Sequence, residues 1–197
     1  MAGAHESMEH AEHAEHASSR NKGIALLIAV LALFLAFSET LGKSAQTDGI
    51  ALNIHASDTW NFFQAKTIRQ TTLRTAAEGL NAQLPAIADE NARAALGRQA
   101  AAWLDTVKRY DSDPKEKDGR KELREQAQEF EHKRDTALAR YHHYEVASAV
   151  FQIGIVMASA TIITGILALA WIAGGLGIVG LAFVAIGLFA PHAVHLV

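Results

Sequence analysis

Cysteine is absent from the 197 residues, which removes disulfides, thiolate metal sites and cysteine nucleophiles at a stroke. Charge is absent from one long stretch, since Val146 to Ala190 contains no Asp, Glu, Lys, Arg or His. Net charge is nearly absent from the polar middle: Glu39 to Glu145 carries 16 Lys and Arg against 17 Asp and Glu. Such a region has no overall field to gather nucleic acid or anionic lipid. Also missing are a period-two strand pattern, a nucleophile beside a base, a Gly-rich phosphate loop and a zinc-protease signature. These gaps argue against a β fold, a polyanion binder and an enzyme.

What is present is apolar and helical. A hydrocarbon core about 30 Å thick needs roughly 20 apolar residues per helix, so Val146 to Ala190 is long enough for two. The expected spans are Val146 to Ile163 and Leu167 to Ala190 with the turn at Thr164-Gly165, and Gly174, Gly175 and Gly177 offer an alternative break. An earlier span covers residues 23–41. It reads as an uncleaved anchor, because Met1 to Ser19 holds four glutamates and no basic residue. The glycines of the late block, Gly180 and Gly187 included, suit close helix packing in lipid, and a broken helix lining a site is the sharper alternative. Polar side chains in the late spans are limited to Ser148, Gln152, Ser159, Thr161 and Thr164, so charge-coupled transport has little to work with.

The middle region, 42–145, reads as a single helical domain. Ser44 to Leu84 contains no proline and could rise about 60 Å as helix. Leu52, Ala56, Phe63, Leu73, Ala77, Leu80 and Leu84 follow one stripe. An opposite stripe, Ile50, Ile54, Ser57, Asn61, Gln64, Ile68, Thr71 and Thr75, has coiled-coil spacing but is largely polar, a pattern that costs stability and can fix register or partner number. Pro85 ends the segment, and Ala86 to Tyr110 forms an alanine-rich helix. In the loop Asp111 to Gly119, Asp113 is the expected N-cap with Pro114 at the first helical position. From there a long helix should run into the second span, with Glu116–Arg120 and Glu129–Lys133 as favourable pairs on its wet face.

Four groups of residues are candidates for function. His5, His10, His13 and His16 lie in a tail (1–22) with three Glu-His-Ala triplets. They could offer imidazoles to a divalent transition metal or sense pH, or simply form a solvated low-complexity tail. Tyr141-His142-His143-Tyr144-Glu145 suits an aromatic anchor at the headgroup level, with a paired-His site as the alternative. Adjacent histidines point about 100° apart on a helix, which disfavours one ion between them. Trp60, Phe63, Leu123, Phe130 and Tyr141 are the expected packing or oligomer residues. Gln152, Ser159 and Thr164 could line a pore or bond between helices.

Three segments carry a resemblance: WNFFQAKTIRQTTLRTAAE (Trp60 to Glu78), GRKEL (Gly119 to Leu123) and YHHYEVASAVFQIGIVMASATIITG (Tyr141 to Gly165). Together they resemble an uncharacterised bacterial membrane family, domain of unknown function 4337. The likeness covers nearly the whole chain in the same order of single span, helical middle and terminal hairpin. It implies a bacterial membrane protein with a short His- and Glu-containing tail, and it carries over no reaction, ligand or catalytic residue.

The combined expectation is an all-α integral membrane protein with three transmembrane helices, an elongated helical-bundle or coiled-coil middle domain and a short tail at 191–197. Its expected role is a homo-oligomeric inner-membrane scaffold or interaction protein without a cofactor. An oligomeric channel and a metal- or pH-responsive regulator are the alternatives. Arg20 and Lys22 against Lys43 favour a cytoplasmic N-terminus, whereas Lys133, Arg134 and Arg140 favour a cytoplasmic middle domain, and the uncharged hairpin turn and acidic tail, which translocate easily, favour the latter.

Overall fold

The computed structural model describes the backbone of residues 2–194 and the side chains of 21–194. Every regular element among the described residues is helical: α1 (Ala2–Gln83), a 3-10 turn (Leu84–Ala86), α2 (Glu90–Asp111), α3 (Arg120–Thr164) and α4 (Leu167–Phe189). Three of these helices are long and apolar enough to cross a membrane, in agreement with the sequence. The chain divides into two compact units, Met1–Asp48 with Thr136–Val197, and Gly49–Asp135. Helices α1 and α3 contribute to both.

The first unit, called the membrane unit for the three apolar stretches it holds, is packed by small residues against large ones. Its core is Ile24, Leu31, Ala147, Phe151, Ala158 and Ala173. On α4 the buried positions Ala173, Gly177, Gly180 and Gly187 step by four, three and seven residues, one face of the helix. A Cβ at Gly180 would lie 2.6 Å from Phe151 Cε1, and one at Gly187 would lie 2.7 Å from Tyr144 Cε1. Hydrogen is therefore the only side chain that lets α3 and α4 approach this closely. Gly174 and Gly175 have nothing within 4 Å of a built Cβ, and α4 runs through them unbroken. The turn falls instead at Gly165, whose φ of +72° is left-handed backbone that glycine adopts without strain.

The second unit is built on the inner stripe of α1. Ala56 and Ala77 are buried and Leu52, Phe63, Leu73, Leu80 and Leu84 half-buried, as the spacing predicts; Thr59, Lys66 and Gln70 complete the stripe. Pro85, which has no N–H to donate, ends the helix in the 3-10 turn. Helix α2 then starts at Glu90 rather than Ala86, because Asp89 accepts bonds from the N–H groups of Asn91 (2.8 Å) and Ala92 (3.3 Å) and so caps it. Ala100, Val107, Leu123 and Ala127 supply the buried faces of α2 and α3.

The start of α3 corrects the sequence reading. Asp113 does accept from Glu116 N–H (3.2 Å) through its side chain and from Lys117 N–H (2.7 Å) through its carbonyl, but these close one isolated turn. Lys117 then takes φ of 56°, and the helix begins only at Arg120. Glu122 turns back to accept from Ser112 Oγ (2.5 Å) and from Asp113 N–H (3.1 Å). Gly119 lies beneath this connection, where a Cβ would collide with the Glu122 carboxylate and the Ser112 and Asp113 backbone. The pair Glu116–Arg120 therefore does not share a helix, whereas Glu129 and Lys133 pair at 2.5 Å as expected.

Candidate functional site

Two polar clusters are organised enough to be weighed as sites. In the second unit, Lys66 is buried and its ammonium meets Asp118 Oδ2 at 2.6 Å, with the rings of Phe62 and Tyr110 at 5.4 and 5.2 Å. A cation so far out of water needs such partners. One turn away, Arg120 donates to Thr67 Oγ1 (2.9 Å), Gln70 Oε1 (2.5 Å) and Asp111 Oδ1 (3.3 Å). Its guanidinium lies over the Phe63 ring at 5.2 Å, with that of Arg124 at 5.5 Å. Gln70 in turn donates to the Val107 carbonyl (3.2 Å). These bonds make the cluster a clasp joining α1, the end of α2 and the start of α3. The adjoining cleft of about 450 Å³ mixes Arg120, Lys121 and Arg124 with Asp111 and Glu125, which gives no field of one sign.

At the clasp's edge, the Ser112 hydroxyl and, more weakly, backbone donors hold the Glu122 carboxyl below its ordinary range. Lys133 does the same for Glu129 on the exposed face of α3. Both groups are carboxylates at neutral pH, and neither is poised as a general acid.

In the membrane unit, a cleft of about 310 Å³ lies between α1 and α3, lined by Ser38, Glu39, Gly42, Lys43, Gln46, Tyr141, Tyr144, Glu145 and Ser148. The buried Ser38 hydroxyl donates to the Tyr144 carbonyl (2.9 Å) and ties the two helices at this level. Two turns further along α3, Gln152 Nε2 donates to Glu39 Oε1 (3.4 Å), and both side chains are exposed on the surface of the unit. His143 is 1% exposed, and its Nε2 donates to the Pro191 carbonyl (3.0 Å). Its neighbour His142 faces Glu145 instead, at 3.7 Å. The two histidines thus diverge, as adjacent positions on a helix must.

The residues singled out from sequence fall in different places. Trp60 donates to Glu131 Oε1 (2.9 Å) and meets Phe63 edge-on at 5.4 Å, and Phe130 stacks on His55 at 5.4 Å. With the buried Leu123 these are intramolecular contacts within the second unit. Tyr141 belongs to the membrane unit, on the α1–α3 cleft. Ser159 and Thr164 donate to carbonyls of their own helix, those of Ile155 and Ala160, both at 2.8 Å. His5, His10, His13 and His16 lie outside the described side chains. Among the described residues no three His, Asp or Glu side chains come together as a metal site. Sequence reasoning missed the burial of Lys66 against Asp118, the Ser38 tie and the Glu39–Gln152 pair. Lys66 was within reach, since it falls on the inner stripe of α1.

Comparison with known proteins adds a family. Residues 20–190 match the family described as "Domain of unknown function (DUF4337)". The chain belongs to this family. The match runs from just before the first apolar stretch of this DUF4337 protein to the end of α4, so it takes in both units. No curated protein and no solved structure matches the chain.

Proposed function

We propose that this DUF4337 protein is a non-enzymatic, self-associating scaffold of the bacterial inner membrane, with the Gly49–Asp135 unit on the cytoplasmic side. The observation that carries the reading is the Glu39–Gln152 pair on the exposed surface of the membrane unit. Gln152 lies about 9 Å beyond Val146 along α3, well past the expected entry into lipid. An acidic side chain facing hydrocarbon costs about 2.5 to 3.5 kcal/mol at the helix centre and less towards the interface, a cost relieved when the group faces another protein surface. A second copy seated over this face would cover both side chains. The orientation follows from Lys133, Arg134 and Arg140 ahead of the second span and the uncharged turn at Gly165.

Native mass spectrometry of the full chain in lipid particles tests this. One defined oligomer is expected; a monomer at every concentration overturns it. A conduit assembled from several copies is the second reading, and the exposure of Gln152 on α3 favours it. Flux through reconstituted vesicles that falls with Gln152→Leu is its expected signature, and vesicles as tight as protein-free ones remove it.

A further inference from the structure

Helix α1 carries two parallel 4–3 repeats across the second unit. The inner one, at positions 52, 56, 59, 63, 66, 70, 73 and 77, is buried or half-buried. The outer one, at 50, 54, 57, 61, 64, 68, 71 and 75, is exposed at all eight positions. A step of four then three is the spacing of a helix seam that meets another helix, and the outer repeat keeps it over about 38 Å. None of its eight residues is ionisable, although one residue in five of the chain is charged. Ile50, Ile54 and Ile68 are 57%, 54% and 67% exposed, on the unit placed outside the membrane in the proposal above.

We infer that the Ile50-to-Thr75 seam of α1 pairs with the same seam of a second copy, parallel and in register. This rests on the self-association proposed above and gives it a surface outside the membrane unit. In heptad terms Ile54, Asn61, Ile68 and Thr75 take the a positions, and Ile50, Ser57, Gln64 and Thr71 the d positions. Parallel pairing places each residue against its own counterpart. Isoleucine meets isoleucine, and Asn61, both donor and acceptor, meets its own counterpart, which can donate and accept in return. A generic apolar partner would leave the Asn61 and Gln64 amides unpaired. The flanking g-to-e′ pairs are Asn53 with Asp58, Trp60 with Ala65, Thr67 with Thr72 and Arg74 with Gly79, so no like charges oppose. Copies held in one bilayer share one orientation, which selects parallel over antiparallel. The apolar content of the seam is thin, and confinement to a membrane supplies the effective concentration that compensates.

The absence of native cysteine makes the test direct. Full-length Ile54→Cys, Thr75→Cys and, as an exposed control on α2, Gln99→Cys are oxidised in their own membranes with copper–phenanthroline. Disulfide-linked dimers are expected for the first two and not for the third, and adding Ile68→Glu should abolish the Thr75→Cys product by placing like charges in the seam. Crosslinking only when Ile54→Cys and Thr75→Cys chains are mixed means antiparallel pairing and overturns the register. No seam product alongside a defined oligomer in native mass spectrometry overturns the seam while leaving self-association standing. No seam product and a monomeric mass overturn both.

Discussion

The two units solve the same problem, holding long helices together, with opposite materials. In the membrane unit the contact face of α4 is Ala173, Gly177, Gly180 and Gly187, and the large groups Leu31, Phe151 and Tyr144 fill the space those residues leave. In the Gly49–Asp135 unit the inner stripe of α1 mixes Ala56 and Ala77 with Lys66 and Gln70, each charge or amide tied to a partner. On the membrane placement proposed above, the surrounding solvent accounts for the difference. Lipid gives no hydrophobic drive for apolar side chains to leave it, so packing must come from close backbone approach. Water gives that drive freely, and polar ties then fix which helix lies where.

That contrast can be broken first where it is sharpest. Phe151→Ala should destabilise the membrane unit by about 3 to 5 kcal/mol, read by thermal unfolding in detergent. Gly180→Ala should cost about 1 to 3 kcal/mol by forcing the Phe151 ring aside, and should become close to neutral in the Phe151→Ala background. The same substitution at Gly174, where no atom lies near, should leave stability unchanged or slightly raised. In the Gly49–Asp135 unit the vulnerable group is the buried cation. Asp118→Ala strips the buried Lys66 of its carboxylate and should cost about 1 to 3 kcal/mol in chemical denaturation, more than Lys66→Met, which removes the buried charge and leaves Asp118 partly exposed to water. Trp60→Phe loses the bond to Glu131 and should cost about 1 kcal/mol.

The smallest effect is a pH dependence. Because the Ser112 hydroxyl lowers the folded pKa of Glu122, its contribution is fully present above the ordinary glutamate range and is lost as pH falls through the lower, folded value. The Glu122→Gln protein should therefore differ from the parent at neutral pH and converge with it at low pH. Parallel stability curves down to acid would show that Glu122 has no such role.

How much of this was readable beforehand depended on how local each cause is. The turn at Thr164-Gly165, the stop at Pro85 and the inner and outer stripes of α1 rest on backbone rules and spacing within one segment, and the structure follows them. Asp113 misled because Asp-Pro is a genuine start signal for one turn, while the start of α3 depends on Glu122 reaching back from within the helix. The clasp was illegible for a similar reason. Thr67, Gln70, Asp111 and Arg120 come from three helices, and no spacing in the sequence shows that one guanidinium will meet all of them. The Glu39–Gln152 pair joins residues 113 positions apart, and neither residue's own segment points to the other.

The bond from His143 to the Pro191 carbonyl gives the end of the chain an unexpected task. Hydropathy invites a boundary at Ala190, where the apolar block ends, and a shortened protein designed on that profile would look complete. It would also leave a buried imidazole with neither nitrogen partnered, since Nδ1 already has no bond. Residue 191 is thus a peg in the α3–α4 hairpin, and the safe place to cut or fuse lies beyond it.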